Sequence, residues 1–332
     1  MVTQLAFLSG RLSQRLALCA VAVLLPFFFV GGPDWASDPL YKSAWNLGHI
    51  LFFGTLTLAI RPHQWLDGWR LWLASTTAAL IAGCIIELLQ GDLGRQSDIQ
   101  DVFRNLIGMW LVMSWVSPLS FNNAPAPINL AIKWLMRAGA ILLLAFQLQA
   151  VFDVARQQYR IAHQLPLVYD FNTTGAWRYW SGDVWLAEQH TENARYSLRL
   201  KLSTDHYSGT TLHNLPANWT DYDRLYIAMY NPASTPITLS LRINDLAHDR
   251  GDNAFEDRYN TKLTLKPGVN HFHIRLDAIK TAPATREMDM DDIRRLVIFT
   301  TQLDKPRTVF VTGLKLEKTE KHDHEQIKQE TD

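Results

Sequence analysis

Cysteine is nearly absent from this chain. Its 332 residues hold two, Cys19 and Cys84, both inside apolar runs. They read as small buried hydrophobes rather than as a disulfide, and no Cys-x-x-Cys or Cys/His pair stands at zinc spacing. An excess of charge of either sign is missing too, because 32 Lys and Arg balance 32 Asp and Glu. That balance argues against nucleic acid as a partner, which needs a basic surface. There is no Gly-rich phosphate loop and no Gly-x-Ser-x-Gly elbow. A nucleotide site or a serine-hydrolase site of those kinds is therefore not expected.

What is present divides the chain in two. Residues 1–152 are dominated by apolar runs and carry eight of the twelve tryptophans. Five apolar segments stand at roughly 15–32, 45–60, 70–90, 102–118 and 133–152. Each approaches the ~17–25 residues that span a bilayer. The first follows Arg11 and Arg15 but lacks a small-residue cleavage site, and four more segments follow, so a span is expected rather than a secretory signal. With the N-terminus inside, Arg11, Arg15, Arg61, Arg70, Lys133 and Arg137 face the cytoplasm, against Lys42, Arg95 and Arg104 outside. This bias sets the orientation, and an odd number of spans leaves the C-terminal half outside. Trp35, Trp45, Trp65, Trp69, Trp72, Trp115 and Trp134 fall near predicted helix ends, where an interfacial belt belongs.

One stretch interrupts the apolar pattern. "IIELLQGDLGRQSDIQDVFRNLIG", residues 85–108, places Glu87, Gln90, Arg95, Asp98, Asp101, Arg104 and Asn105 between two spans. Polar groups in hydrocarbon cost several kcal/mol unless paired, so they are expected to face the bundle interior. Glu87 and Gln90 share a helix face, and so do Asp101, Asn105 and Gly108. His49 stands at the same depth on the second span, at the outer rim. Gly108 would let its face pack closely on a neighbour. Three roles are open: packing by hydrogen bonds, a site for a lipid headgroup or lipid-linked glycan, and catalysis. For catalysis the candidates are His49, Glu87, Arg95 and Asp101. His49 or Glu87 would serve as acid or base, and Arg95 as a phosphate clamp. Gln90, Asp98 and Asn105 are candidate ligand-binding residues in the bundle. Arg104 is read as snorkelling to the interface. No metal is expected: His49, Glu87, Asp98 and Asp101 are potential ligands, but no HExxH-type spacing supports one.

With "NLGHILFFGTLTLAI", this stretch resembles the VanZ-like family of small bacterial membrane proteins. The likeness covers about residues 40–117. His49, Glu87, Gln90, Arg95, Asp101, Asn105 and Gly108 match the family's pattern in type and order. Asn46 stands where the family carries a lysine, so one positive charge is missing. The resemblance implies a cell-envelope role without a settled reaction.

From Leu165 the periodicity changes to two. Strands are predicted at 196–202, 224–231, 237–245, 262–266, 270–276, 295–301 and 308–318, separated by Pro, Gly, Asn and Asp. Seven or more short strands suggest a β-sandwich or jelly roll. The order of features, from "LVYDFNTTGAWRYWSGD" to "VFVTGLKLEK", resembles a carbohydrate-binding jelly roll over residues 166–318. Sugar binding needs aromatic faces and planar polar groups. Trp177, Tyr179, Trp180 and Trp185 are candidate platforms, with Tyr207 and Trp219 behind them. Asp245, His248, Asn253, Asp257 and Arg258 are candidate polar partners. The acidic members are also candidate calcium ligands, although EF-hand spacing is absent. No other cofactor is expected.

The organisation expected is thus a membrane α-helical bundle of five transmembrane helices over 1–152 and a helical stalk over 153–164. An all-β outer domain follows over 165–318, then a disordered polar tail over 319–332, where His322 and His324 are read as without a specific role. The function expected is that of a bacterial inner-membrane protein, binding a cell-envelope or exported polysaccharide outside the cytoplasm. Membrane lipid is a further partner. The alternatives are a membrane enzyme acting on a lipid-linked glycan, and a scaffold for a protein partner. The residues do not decide whether it is an enzyme, though binding is favoured.

Overall fold

The computed structural model describes residues 2–92, 98–121 and 123–319. Arg95, His322 and His324 lie outside the described residues. The chain divides between Gln158 and Tyr159 into two compact units.

The first unit holds five long helices: α1 (Val2–Leu24), α2 (Pro39–Ile60), α3 (Gly68–Asp92), α4 (Ile99–Val116) and α5 (Ala126–Ala162). Asp38 begins α2. Its carboxylate accepts the amides of Leu40 (2.7 Å) and Tyr41 (3.4 Å), and Pro39 supplies a preset φ where no N–H is needed. Asp98 begins α4 by accepting the Gln100 amide at 2.9 Å. Among the described residues, three helices are long and apolar enough to cross a membrane: Pro39–Gln64, Gly68–Gln90 and Ala126–Ala162. The segment Leu12–Phe28 is a shorter apolar helix. The polar first turns of α4, with Asp101, Arg104 and Asn105, keep it out of that set. The fifth predicted span and the stalk form one element, because α5 runs unbroken through both.

Burial in this unit is inverted relative to a water-soluble fold. His49, Glu87, Gln90, Asp101 and Asn105 are buried, whereas Leu88 is 72% and Leu135 73% exposed. An apolar exterior around a polar interior is stable when the surrounding solvent is hydrocarbon. Cys19 and Cys84 lie on this exterior, not in the core expected from their apolar neighbours. Helices α2 and α4 meet through glycines. A Cβ built on Gly108 would stand 2.2 Å from the Ile50 carbonyl oxygen and 3.0 Å from the Gly54 nitrogen. Backbone here occupies the space of a side chain, so no other residue fits without moving the helices apart.

The second unit is a β-sandwich of two five-stranded antiparallel sheets. Sheet A orders β2 (Val184–Ala187), β3 (Ser197–Leu202), β10 (Arg307–Glu317), β5 (Arg224–Asn231) and β8 (Gly268–Arg275). Sheet B orders β1 (Trp180–Gly182), β4 (Ser208–Leu212), β9 (Ile293–Thr300), β6 (Ile237–Asp245) and β7 (Tyr259–Leu265). Alternation in "ITLSLRI" puts Leu239, Leu241 and Ile243 in the core, and Ser240 and Arg242 on the outer face. In β10 strict alternation would bury Gly313 and Lys315. A bulge between Val311 and Gly313 resets the phase, so Val309 and Val311 point inward before it and Leu314 and Leu316 after it. Two short helices, α6 (Leu246–Arg250) and α7 (Leu276–Lys280), cap strand ends.

Gly108→Ala is expected to lower the thermal midpoint of the purified chain in detergent, at a cost of about 1–3 kcal/mol for overpacking. Gly139→Ala, where a Cβ meets nothing within 4 Å, is expected to leave it unchanged. Scanning fluorimetry of both variants checks the difference.

Candidate functional site

Two groups of polar side chains stand out, one in each unit. In the bundle, α2, α3 and α4 bring the sequence candidates together. Asn105 Oδ1 lies 2.9 Å from His49 Nδ1. An amide oxygen only accepts, so Nδ1 carries the imidazole proton and Nε2 turns its lone pair to Asp101 Oδ2, 3.5 Å away. Two lone pairs at that distance call for a proton or a cation between them. Glu87 joins from α3, and its Oε2 accepts the Asp98 amide at 2.9 Å. One ligand atom from each of His49, Glu87 and Asp101 lies within 4.8 Å of the others, and all three residues are buried. Such a set can hold a divalent cation. Spacing along the chain hides it, because the donors come from three helices. A histidine whose second ring nitrogen is fixed by a hydrogen bond is also a common arrangement at metal sites.

Asp98 and Gln90 have structural tasks here. Asp98 caps α4, and Gln90 Nε2 donates to the Phe28 carbonyl at 2.8 Å, tying α3 to the end of the first segment. Arg104 departs from its expected role. It does not reach out along the surface. Its guanidinium pairs with Asp101 and donates to Gln100 (3.2 Å) and to Gln147 of α5 (3.3 Å). Beside His49 and Gln90 opens a cavity of about 410 Å³, lined mostly by apolar side chains including Leu24, Phe27, Phe28 and Trp45.

In the sandwich, the sequence candidates divide between places. Trp180 is 5% exposed and packs against Tyr169 at a centroid distance of 5.5 Å, so it presents no face to a ligand. Trp219 is fully buried, with its indole N–H on the Pro216 carbonyl at 2.8 Å. Tyr179 is partly buried against the core, and Trp177 is exposed on the turn before β1. Trp185 lies on the outer face of sheet A, where the Arg199 guanidinium covers its ring at 4.7 Å.

The polar candidates gather on sheet B and at its end. Register aligns Thr211, Val297, Arg242 and Asn260 in one row across β4, β9, β6 and β7, with Phe299, Ser240 and Lys262 in another. The Phe299 side chain lies over Gly209, where a Cβ would meet it at 2.5 Å. Arg242 donates through Nε to Asn244 Oδ1 (3.1 Å) and through Nη2 to Asn253 Oδ1 (3.0 Å). Arg258 donates to the same Asn253 oxygen (3.3 Å) and to Asn260 Oδ1 (3.2 Å), and its guanidinium lies over the Phe255 ring at 5.3 Å. Asn253 itself adopts φ +57°, a left-handed conformation that asparagine tolerates. Phe255 and Tyr207 are 65% and 67% exposed. Sequence reasoning missed Arg242 and Asn244, which read as ordinary alternating positions of a strand, and Phe255.

Behind this face, Arg286 bridges Asp245 and Asp257, with Nη2 2.9 Å from a carboxylate oxygen of each. The two carboxylates considered for calcium therefore share a guanidinium. Burial pushes the Asp245 carboxyl up, but the Arg286 bonds and the Asp289 and His248 amides outweigh it and leave it below the usual range. The Arg286 bonds likewise lower Asp257 against the smaller effect of burial. Stability from this bridge is present above the ordinary aspartate value of 3.8 and is lost as pH falls through the depressed folded values. Arg286→Ala is expected to destabilise the protein by on the order of 3 kcal/mol near neutrality, because it strands a buried carboxylate. Its thermal midpoint is expected to approach that of the parent below pH 3.8. Fluorimetry of both proteins between pH 7 and pH 3 measures this, and parallel curves would count against the bridge.

No family model matches the chain, and no curated protein matches it. The VanZ-like resemblance of residues 40–117 therefore has no support from these comparisons. Among solved structures, the family 11 carbohydrate-binding module from Clostridium thermocellum, in complex with a beta-1,3-1,4-mixed-linked tetrasaccharide, is similar at 12% identity. The match covers 42% of this chain and 84% of that one, with a TM-score of 0.33. The family 30 module of a Clostridium thermocellum cellulosomal cellulase is similar at 15% identity, over 41% and 83% of the two chains, with a TM-score of 0.32. An exo-beta-agarase is similar at 10% identity, over 46% and 25%, with a TM-score of 0.35. Likeness at this level says nothing about a ligand.

Proposed function

We propose that this chain is a membrane-anchored glycan-binding protein of a bacterial cell envelope. Its helices hold it in the inner membrane as a multi-pass protein with the N-terminus in the cytoplasm. Its sandwich stands outside and captures an envelope or exported polysaccharide. One observation carries the reading. On the outer face of sheet B, the planar groups of Arg242, Asn253, Arg258 and Asn260 lie beside the exposed rings of Phe255 and Tyr207. Planar amides and guanidiniums match vicinal hydroxyls, and aromatic rings match the apolar face of a sugar. The inverted burial of the bundle supports the anchor. The basic residues in its short loops support the orientation.

A second reading has its own support. The His49–Glu87–Asp101 set and the adjoining apolar cavity suit a polar headgroup with an acyl chain, and an acid–base pair for a lipid-linked substrate.

The test is a glycan array with the detergent-solubilised full chain. Retention of a defined glycan is expected. Tyr207→Ala and Phe255→Ala are each expected to weaken it by about 1 kcal/mol, several-fold in affinity. Retention of no glycan at all would sink the reading and move the weight to the bundle. Orientation is checked separately by fusing alkaline phosphatase after residue 318. Activity is expected there, and a cytoplasmic reporter at the same position is expected to be silent.

A further inference from the structure

Arg242 and Arg258 are half-buried arginines of the sandwich that share one neutral acceptor, the Asn253 oxygen; Arg307 too has only neutral acceptors, but on Asn231 and Thr235. Arg286 has Asp245 and Asp257, Arg295 has Asp249, and Arg294 has Asp292. Arg242 and Arg258 have only neutral acceptors. Asn244, Asn253 and His248 serve the first, and Asn253 and Asn260 the second. Among the described residues, no carboxylate forms an ion pair with either. His248 cannot supply one. Its Nδ1 donates to the Asp257 carbonyl at 3.0 Å, and its Nε2 lies 2.9 Å from Arg242 Nη2 and 3.1 Å from Asn253 Oδ1. The imidazole is a buried prop for both groups.

Both guanidiniums share the Asn253 oxygen, so two like charges stand side by side on one sheet face. Burial lowers the Arg242 pKa to about 10, and the nearby charges of Arg258 and Arg295 push the same way, with Asp249 opposing. Proteins seldom leave two adjacent, half-desolvated cations without a counter-charge, because desolvation and repulsion both cost stability. The scaffold nevertheless holds them in place. The strand fixes Arg242, the left-handed Asn253 clamps both, and Phe255 underlies Arg258. Nη1 of Arg242 and Nη2 of Arg258 have no hydrogen-bond partner among the described residues. An oxyanion with at least two acceptor oxygens, a carboxylate or a sulfate, is the ligand that would bridge two such edges with paired hydrogen bonds.

We propose that Arg242 and Arg258 form an anion subsite on the outer face of sheet B, and that the glycan bound there is acidic, carrying carboxylate or sulfate groups. The proposal rests on the glycan-binding reading and narrows it. Phe255 supplies the apolar surface for the ring that carries the acidic group, and Asn244, Asn253 and Asn260 set the positions of the guanidiniums.

The experiment measures binding of the full chain in detergent to polygalacturonate, to dextran sulfate and to neutral dextran, by biolayer interferometry at 150 mM salt. Binding to an acidic polymer is expected to exceed dextran at least ten-fold. A preference for polygalacturonate identifies a carboxylate ligand, and one for dextran sulfate a sulfate ligand. Arg242→Gln and Arg258→Gln are each expected to weaken that binding at least ten-fold. Arg242→Lys, which keeps the charge but loses the planar fork, is expected to recover only part of it. Lys266→Gln, an exposed charge away from the pair, is expected to change it less than two-fold. Thermal midpoints establish that the variants fold. If Arg242→Gln does not fold, Arg258→Gln and the fall in parent affinity between 50 and 500 mM salt decide. Equal binding to neutral dextran, unchanged in the arginine variants, would overturn the subsite and leave the glycan reading standing. No binding to any of the three, together with an empty glycan array, would overturn both.

Discussion

The first unit turns on one carboxylate. Asp101 is buried in α4, pairs with Arg104 of its own helix and faces His49 of α2. His49 in turn holds Asn105, and Asn105 packs against Gly83 of α3. Removing charge from this centre would leave its neighbours unsatisfied where no water reaches, which is the costliest defect in a helical membrane fold. The glycines follow from the same constraint. Short polar bonds between helices require close backbones, and Gly54, Gly83 and Gly108 allow that approach. The outer surface is then free to be apolar all round.

The second unit solves a different problem. Its core is built by alternation, and its specificity by what remains on the outside. Sheet A spends its outer aromatics internally: Arg199 covers Trp185, and His190 stacks on Tyr230 at 3.8 Å. Sheet B keeps exposed rings and unmatched guanidiniums. The two faces of one sandwich therefore differ in availability more than in composition.

How much of this was legible in the sequence depended on the length scale of the signal. Long apolar runs located all five helices, and period-two alternation located β3 and β5–β10. The strands β1, β2 and β4 went unseen, because three to five residues such as "WSG" and "SGTTL" carry too few alternations to register. The bundle cluster was readable because i, i+3 spacing of Glu87 and Gln90 and i, i+4 spacing of Asp101 and Asn105 already imply a shared face on each helix. The sandwich site was readable only in half. His248 of α6 and the loop residues Asn253 and Arg258 announced themselves by polarity, whereas Arg242 and Asn244 looked like any solvent-facing strand positions. The tryptophans misled for a physical reason: a large ring fills a core as well as it forms a platform, and composition cannot tell Trp180 from Trp177. The three-helix origin of the His49–Glu87–Asp101 set is likewise invisible until the chain is folded.

The bulge in β10 bears on how this chain can change over time. Because one extra residue near Thr312 carries the strand from one alternation to the other, the segment is read like a phase. Replacing Thr312 changes a single side chain. Deleting it would close the bulge and leave Val311, Leu314 and Leu316 inward in plain alternation, whereas losing Thr312 and Gly313 together would turn Leu314 and Leu316 outward and Lys315 inward. The strand thus absorbs the loss of one codon at this point and fails at the loss of two.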